Sequence, residues 1–444
     1  MHIESYYDES LAHASYLILS DSEAIVIDPQ RDPAPYLDFL KARSAKLIGV
    51  LETHPHADFV SSHLELHRHT GAPIYHSQML GAQYEHTAFD EGDTLAVGSV
   101  SIHPLHTPGH SPDSLTFLLK DSTGKGVAIF TGDTLFIGDV GRPDLREKAG
   151  HTQGKREELA HMMYQTIQEK IKPLDDHLIV YPAHGAGSLC GKNMSDERSS
   201  TLAQQREENW ALQDLTEEAF IRELLDGQPH IPHYFSYAVE LNRKGAPDLQ
   251  PSLDRIERLG RPDQIPAGIR IVDVRDQVSF KNNHLEHSYN IQLSGKYETW
   301  LGSVVKPDEA FYLIAGSPEA LQEAKYRAAR IGYEALIKGG LVFAATARAN
   351  GQYLDTEAFA KNTEDYTIVD IRQPGEVETN KVFDHAINIP LAELRERASE
   401  IPTDKPVVVH CAGGYRSAVG YSILEEALPH TRIFDLSDDI KKFQ

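Results

Sequence analysis

The sequence predicts an α/β protein made of several domains in tandem, and three observations carry that expectation. Short apolar strands alternate with turn-rich and helical stretches through the first half. A pentapeptide recurs, Ile271-Val272-Asp273-Val274-Arg275 and Ile368-Val369-Asp370-Ile371-Arg372. Its repeat length of roughly a hundred residues is too long for a solenoid and fits two successive α/β domains. At 444 residues the chain also exceeds one hydrophobic core, and length alone predicts about two to four domains.

Taken in order, strands are expected at 14–19, 24–28, 47–52, 101–106, 115–119, 127–131 and 178–181, with helices at 35–43, 59–70 and 157–171. Histidine- and aspartate-rich motifs follow several of these strands, in loops where a rigid scaffold usually carries function. The Pro-rich stretches Gln228–Pro232 and Lys244–Pro247 predict a linker around residues 228–252. Each pentapeptide is followed by an Asn-Ile pair, Asn290-Ile291 and Asn388-Ile389. Each copy then continues into an apolar strand, 310–315 and 407–411, with a helix behind it.

Forty per cent hydrophobic and 25% charged residues is the composition of a soluble globular protein. No apolar run approaches the ~20 residues that span a bilayer. The polar, acidic N-terminus does not read as a secretion signal. Only Cys190 and Cys411 occur, far apart, which predicts a reducing compartment, the cytoplasm by default. The formal charge of −23, from 43 basic against 66 acidic residues, argues against nucleic acid as a partner, and no membrane partner is expected. A small anionic substrate remains compatible through a local Arg or Lys pocket.

The strongest local signal is Thr53-His54-Pro55-His56-Ala57-Asp58, directly after an expected strand. Downstream come Pro108-Gly109-His110, Gly132-Asp133 and Tyr181-Pro182-Ala183-His184-Gly185, each at a strand-to-loop junction. With 23 histidines in the chain, most must be surface or hydrogen-bonding residues. His63 and His67 have the i, i+4 spacing of a metal pair, yet nothing else converges on them, so a solvated helix face is expected there and at His69. The ordered series of four motifs is a far stronger signal than any single histidine.

On those motifs, residues 1–235 resemble the metallo-β-lactamase superfamily, in the branch that holds glyoxalase II and the persulfide dioxygenases. The resemblance implies an αββα fold. Dinuclear hydrolases of that superfamily read His-x-His-x-Asp-His, whereas the sixth position here is Phe59. A benzyl group cannot coordinate, which argues for one retained metal. The resemblance implies one Fe(II) per chain on His54, His110 and Asp133, with no organic cofactor; spacing alone fits zinc as well. His56, Asp58, His184 and Tyr181 would orient ligands or substrate, Tyr181 being equally compatible with a core position. Arg142, in Gly138–Asp144, would meet a carboxylate or phosphate on a carrier thiol, with a surface ion pair as the competing expectation. Lys192 is a candidate substrate contact, and a thiol close to it, Cys190, would have a lowered pKa; an inert buried thiol is the alternative.

Near the C-terminus, Val407–His410 runs into Cys411-Ala412-Gly413-Gly414-Tyr415-Arg416 and a helix. Such a loop points backbone N–H groups at a helix N-terminus, favouring a thiolate that carries sulfur as a persulfide. Cys411 and Arg416 are the expected catalytic pair, with Gly413, Gly414 and Tyr415 as substrate contacts. Residues 352–444 resemble a rhodanese domain, Asp370 and Arg372 matching its strand-end pair. In the copy at 253–345, Ala315 and Ala320 replace the cysteine and arginine, so a degenerate rhodanese-like scaffold is expected.

This order resembles the fused persulfide dioxygenase–sulfurtransferases. The resemblance implies a small-molecule thiol persulfide, O₂ and sulfite as partners, thiosulfate as product and a homo-oligomer as the assembly. Glutathione, coenzyme A, bacillithiol and cysteine all remain open as carrier. The competing readings are a di-zinc glyoxalase II-type thioester hydrolase fused to a rhodanese, and a sulfur-relay protein with a vestigial metal site.

Overall fold

In a computed structural model, which describes residues 1–146, 156–343 and 353–444, period-two burial along the strands sets the architecture of the first half. Within His13–Ser20, Tyr16 and Ile18 enter one core and Leu17 another; in Glu23–Ile27, Ile25 and Ile27 separate from Ala24 and Val26 in the same way. Leu115, Phe117, Leu119, Ala128 and Phe130 of the strands Leu115–Lys120 and Gly126–Gly132 complete the first of these cores. It lies between two six-stranded sheets. The outer face of one sheet is closed by Tyr36, Leu40 and Leu66 from the helices Ala34–Arg43 and His63–Thr70. Met163, Ile167, Phe220 and Leu224 close the outer face of the other. This layering is the αββα arrangement expected from the resemblance.

Several expectations change. Additional strands complete the two sheets, Ile74–His76, Thr87–Ala88, Leu95–Val97, Ser200–Thr201 and His2–Asp8, the last pairing antiparallel with His13–Ser20. The region read as a linker contains the helix Tyr234–Lys244, which buries Tyr234, Phe235, Ala238, Val239 and Asn242. That is a helical stripe, masked in the sequence by the prolines on either side of it. The chain divides into two compact units, 1–251 with 329–332 and 252–328 with 333–444, so the helix belongs to the first unit. The boundary expected between 345 and 352 lies outside the described residues. Among the described residues no helix is long and apolar enough to cross a membrane.

Strand direction places the motifs. Gly126–Gly132 runs parallel to Ile179–Pro182 and antiparallel to Leu115–Lys120, which is antiparallel to Val100–His106. The strands preceding His110, Asp133 and His184 therefore finish at one edge of their sheet. Two glycines make the approach tight. A Cβ on Gly109, at φ 149°, would fall 2.6 Å from Met163 Cα, and one on Gly132, at φ 52°, would fall 2.5 Å from Thr53 Oγ1.

The second unit repeats one topology. Its five-stranded sheet is ordered 258–259, 337–342, 311–315, 270–273, 288–290, and its four-stranded sheet 433–435, 407–410, 367–370, 387–388, with every pairing parallel. The repeated Asp-Arg pair has one function in both copies. Arg275 Nε and Nη2 bond Asp273, and Arg372 Nε and Nη2 bond Asp370, all four side chains being buried. The Asn-Ile pair is explained too: Asn290 Nδ2 donates to Asp273 O and Arg275 O, and Asn388 Nδ2 to Asp370 O and Arg372 O. The asparagine thereby satisfies two backbone carbonyls at the strand-to-loop bend. Removing one partner of such a pair leaves a buried charge. Asp370→Ala is expected to cost about 3–5 kcal/mol, read in urea denaturation, and the apolar double replacement Asp370→Leu with Arg372→Met should cost less.

Candidate metal centre and sulfur-transfer loop

Three side chains from separate loops converge. His54 Nε2 and His110 Nε2 lie 3.8 Å and 3.5 Å from Asp133 Oδ2, all three ligand atoms being within 4.8 Å of one another. A cation about 2.0–2.2 Å from each atom spans such separations. Backbone and side-chain partners fix both rings. Thr53 Oγ1 donates to Asp28 Oδ2 (2.9 Å) and so accepts from His54 Nδ1 (3.0 Å). His110 Nδ1 donates to Arg142 O (2.9 Å). Each imidazole therefore turns an Nε2 lone pair toward Asp133, whose buried Oδ2 has no hydrogen-bond partner. Burial alone would raise the Asp133 pKa, but His184, His110 and His54 outweigh it and hold the carboxyl well below its usual range. This donor set fits a single metal ion.

The residues expected around the ligands are also here, except one. His184 Nδ1 meets Asp133 Oδ1 and His184 Nε2 meets Asp58 Oδ2, each at 2.7 Å. Burial opposes charge on His184, yet the two carboxylates prevail and hold its pKa well above normal. His56 Nε2 faces Asp28 Oδ1 at 3.3 Å, and Asp28 outweighs burial to raise the His56 pKa. Tyr181 does not join them: its ring stacks on Phe130 in the core between the sheets, 5.2 Å between centroids.

Other expectations are corrected. His63 is not on a solvated face; it is 1% exposed and its Nδ1 sits 3.3 Å from Glu52 Oε1. Burial and Arg31 lower its pKa to about 3, while burial and Asp28 raise that of Glu52 to about 8. His69 is half exposed, with a side-chain exposure of 52%, as expected. Arg142 is neither a surface residue nor poised for substrate: it is 1% exposed, bonds Asp144 through two nitrogens at 2.6 Å and donates to Leu189 O. What it offers the site is its carbonyl, on His110. Lys192 is likewise committed, its Nζ bonding Glu223 and Asp226 O. Cys190 gains no thiolate character from it; burial, Asp58 and Asp133 push that thiol well up.

Several residues here were not read from the sequence. His13, 1% exposed, packs 3.7 Å from the Phe59 ring between centroids. Tyr234 Oη donates to Asp58 O, and Asn242 Nδ2 donates to His56 O and Phe59 O. The helix hidden between prolines thus braces the His-x-His-x-Asp loop. The buried His63 yields a pH prediction. Its folded pKa lies below the unfolded 6.5, so the unfolded chain binds the extra proton and stability falls as pH drops from about 6.5 toward 3. His63→Gln should narrow that loss, read as the pH dependence of the urea midpoint.

In the second unit, the strand Val407–His410 delivers Cys411 to the loop before the helix Tyr415–Ala427. Gly414, at φ 92°, donates its N–H to Cys411 Sγ at 3.1 Å, and Ser417 Oγ donates to Gly414 O. Gly413 is exposed at the turn. Arg416 bonds Glu376 through both terminal nitrogens at 2.6 and 2.7 Å, so its charge is partly met within the protein rather than standing free for a substrate. Burial lowers its pKa, but Glu376 and then Cys411 outweigh this. Tyr415 Oη donates to Gln292 O (2.7 Å), which makes it an anchor to the preceding copy. In that copy, Ala315 ends the equivalent strand Phe311–Ala315 and no thiol is present.

Comparison with known proteins adds lineage to this geometry. The profile of the metallo-β-lactamase superfamily matches residues 10–184, and that of the rhodanese-like domain matches residues 355–444. Persulfide dioxygenase ETHE1, mitochondrial, of Homo sapiens is 30% identical over 179 residues, covering 40% of this chain and 65% of that protein. A hydroxyacylglutathione hydrolase of Francisella philomiragia is 30% identical over 185 residues, with the same coverage of 40% and 65%. The chain thus spans just under two thirds of the length of these relatives. A crystal structure titled metallo-beta-lactamase from Staphylococcus aureus subsp. aureus COL is 32% identical, with a TM-score of 0.70, covering 77% of this chain and 99% of that one.

Proposed function

We propose that this chain, which belongs to the metallo-β-lactamase superfamily and carries a rhodanese-like domain at its C-terminal end, is a persulfide dioxygenase coupled to a thiosulfate-forming sulfurtransferase. One observation carries the reading: a buried cluster of two imidazoles and one carboxylate beside Phe59, the residue that replaces the next imidazole of the dinuclear motif. An Fe(II) held by His54, His110 and Asp133 would supply adjacent coordination positions and the redox capacity for O₂ chemistry at sulfur.

The protein's own groups do the rest. Thr53 Oγ1 and Arg142 O keep the two ligand rings in one tautomer, and His184 holds Asp133 from its other oxygen. Phe59, 2% exposed, and His13 close off one side from water. The overall reaction there balances as R–S–SH + O₂ + H₂O giving R–SH and sulfurous acid, ionised at neutral pH. At the second site the Cys411 thiolate attacks the outer sulfur of another persulfide, R–S⁻ departs and takes a proton, and Cys411 keeps the sulfane sulfur. Sulfite then attacks that sulfur, the S–S bond to Cys411 breaks, and thiosulfate leaves with the Cys411 thiolate restored. The N–H of Gly414 stabilises sulfur anions at Cys411. The carrier is a low-molecular-weight thiol, and the cytoplasm is the compartment that suits two unpaired cysteines.

Hydroxyacylglutathione hydrolase similarity gives the alternative, thioester cleavage on paired metals without O₂. The test is iron content together with oxygen-electrode rates across glutathione, coenzyme A, bacillithiol and cysteine persulfides. Persulfide-dependent O₂ uptake with thiosulfate as product is expected. Turnover that is unchanged without O₂, or hydrolysis of S-acyl glutathione at comparable rates, would overturn the proposal.

A further inference from the structure

We infer that His284 is a pH-sensitive latch between the two copies of the repeat, closed when its imidazole is protonated, that pins the far end of the helix Tyr415–Ala427 behind Cys411. Both ring nitrogens of His284 face groups that can only accept. Nδ1 meets Phe280 O at 2.9 Å, and Nε2 meets Glu425 Oε2 at 3.2 Å. A neutral imidazole has one N–H and serves one of them, whereas the imidazolium serves both. The ring also stacks on Phe280, 4.1 Å between centroids and 8° from parallel, on a side chain only 16% exposed.

The position gives that charge a purpose. The last turn of Tyr415–Ala427 holds no basic residue and carries Glu425 and Glu426, two carboxylates at the negative end of a helix. Phe280 O lies at the same end of the helix Gln277–Asn282. His284 thus sets one positive charge against two helix C-termini, one from each copy. The neighbouring pair is built differently. Glu426 takes Arg270 Nη1 at 2.6 Å and His287 Nδ1 at 3.1 Å, so its guanidinium counter-ion persists at every pH. Lys281, from the helix that holds Phe280, is paired with Asp435 at 2.7 Å. Glu425 has the Tyr421 hydroxyl on its other oxygen, at 3.1 Å, and His284 as its cation.

Burial lowers the His284 pKa, but Glu425, Phe280 O and Asp273 outweigh it and raise it above 6.5. Asp273 is itself bonded to Arg275, and Glu286, His287 and Glu426 line the cavity beside the ring. Because the folded value exceeds the unfolded one, the latch is fully closed below about 6.5 and opens as pH rises through the raised value. The helix it releases begins at the Cys411 loop, so closure steadies that loop from its opposite end. An effect on sulfur transfer rests on the sulfurtransferase reading, whereas the latch itself does not.

The test is structural and needs no substrate, which keeps its failure separate from a failure of that reading. Hydrogen–deuterium exchange on the full chain is expressed as protection factors, which removes the intrinsic effect of pH. Between about pH 6 and about pH 9 the amides of residues 421–427 should lose about 2–5-fold of protection, the scale of one charge at a helix C-terminus. His284→Gln should be poorly protected at both ends of that range. His284→Lys, whose charge persists through it, should be well protected at both, and His287→Gln should keep the wild-type pH dependence. A wild-type chain whose protection here is constant with pH overturns the inference without recourse to any variant. So does a pH dependence that His284→Gln retains.

Discussion

His110→Ala is expected to lose the proposed persulfide-dependent O₂ uptake and iron binding, and to retain sulfur transfer to added sulfite. The expectation follows from what the ring does. His110 Nε2 stands 3.5 Å from Asp133 Oδ2, and its other nitrogen is tied to Arg142 O, so the ring is held with its free nitrogen in the cluster. Loss of a merely orienting partner typically costs about 10–100-fold in metal affinity, and loss of a ligand should exceed that. Removal also withdraws one of the three imidazoles that hold the Asp133 carboxyl ionised. Sulfur transfer survives because Cys411 lies in the other compact unit, on its own parallel sheet. Metal content, oxygen-electrode rates and thiosulfate yield with supplied sulfite check all three parts. Normal oxygen consumption would refute the ligand assignment.

Cys411→Ser is expected to give the complementary result under the proposed reaction: O₂ uptake largely unchanged, with sulfite accumulating in place of thiosulfate. A serine oxygen cannot hold sulfane sulfur for transfer, so the drop should be on the order of 10⁴-fold or more, the scale of removing a covalent nucleophile. The copy at 253–345 cannot compensate, since Ala315 ends its equivalent strand. Product analysis by chromatography separates the two anions. Thiosulfate yield equal to that of the wild type would remove Cys411 from the mechanism.

The convergence of His54, His110 and Asp133 was legible because each residue is local: a short motif after a strand whose alternating apolar residues are visible in one dimension. The same holds for Asp370 and Arg372, two residues apart and repeated intact in the preceding copy. Direction of side chains was not legible. Arg142 and Lys192 carry the right chemistry for an anionic carrier, but one is folded onto Asp144 and the other onto Glu223 and Asp226. Nothing in a sequence distinguishes the guanidinium of Arg142 from its carbonyl, which is the atom that matters. His13, Asp28 and Glu52 escaped notice, and His63 was placed on a solvated face, for another reason. They meet only when strands far apart in the chain are packed, and no spacing rule links them. Asn242 escaped because prolines on both sides of its helix outweighed the apolar stripe.

The mute copy of the repeat bears directly on any attempt to borrow the C-terminal module. Gln292 O receives the Tyr415 hydroxyl at the start of the helix behind Cys411, Ser422 Oγ receives the Asn290 amide farther along it, and Lys281 is paired with buried Asp435 at 2.7 Å. A truncation to residues 353–444 would keep every atom of the loop while stripping the clamp from its helix and leaving an aspartate without its counter-ion. The copy at 253–345 has no cysteine at its strand end yet grips its neighbour, so the pair travels as one part.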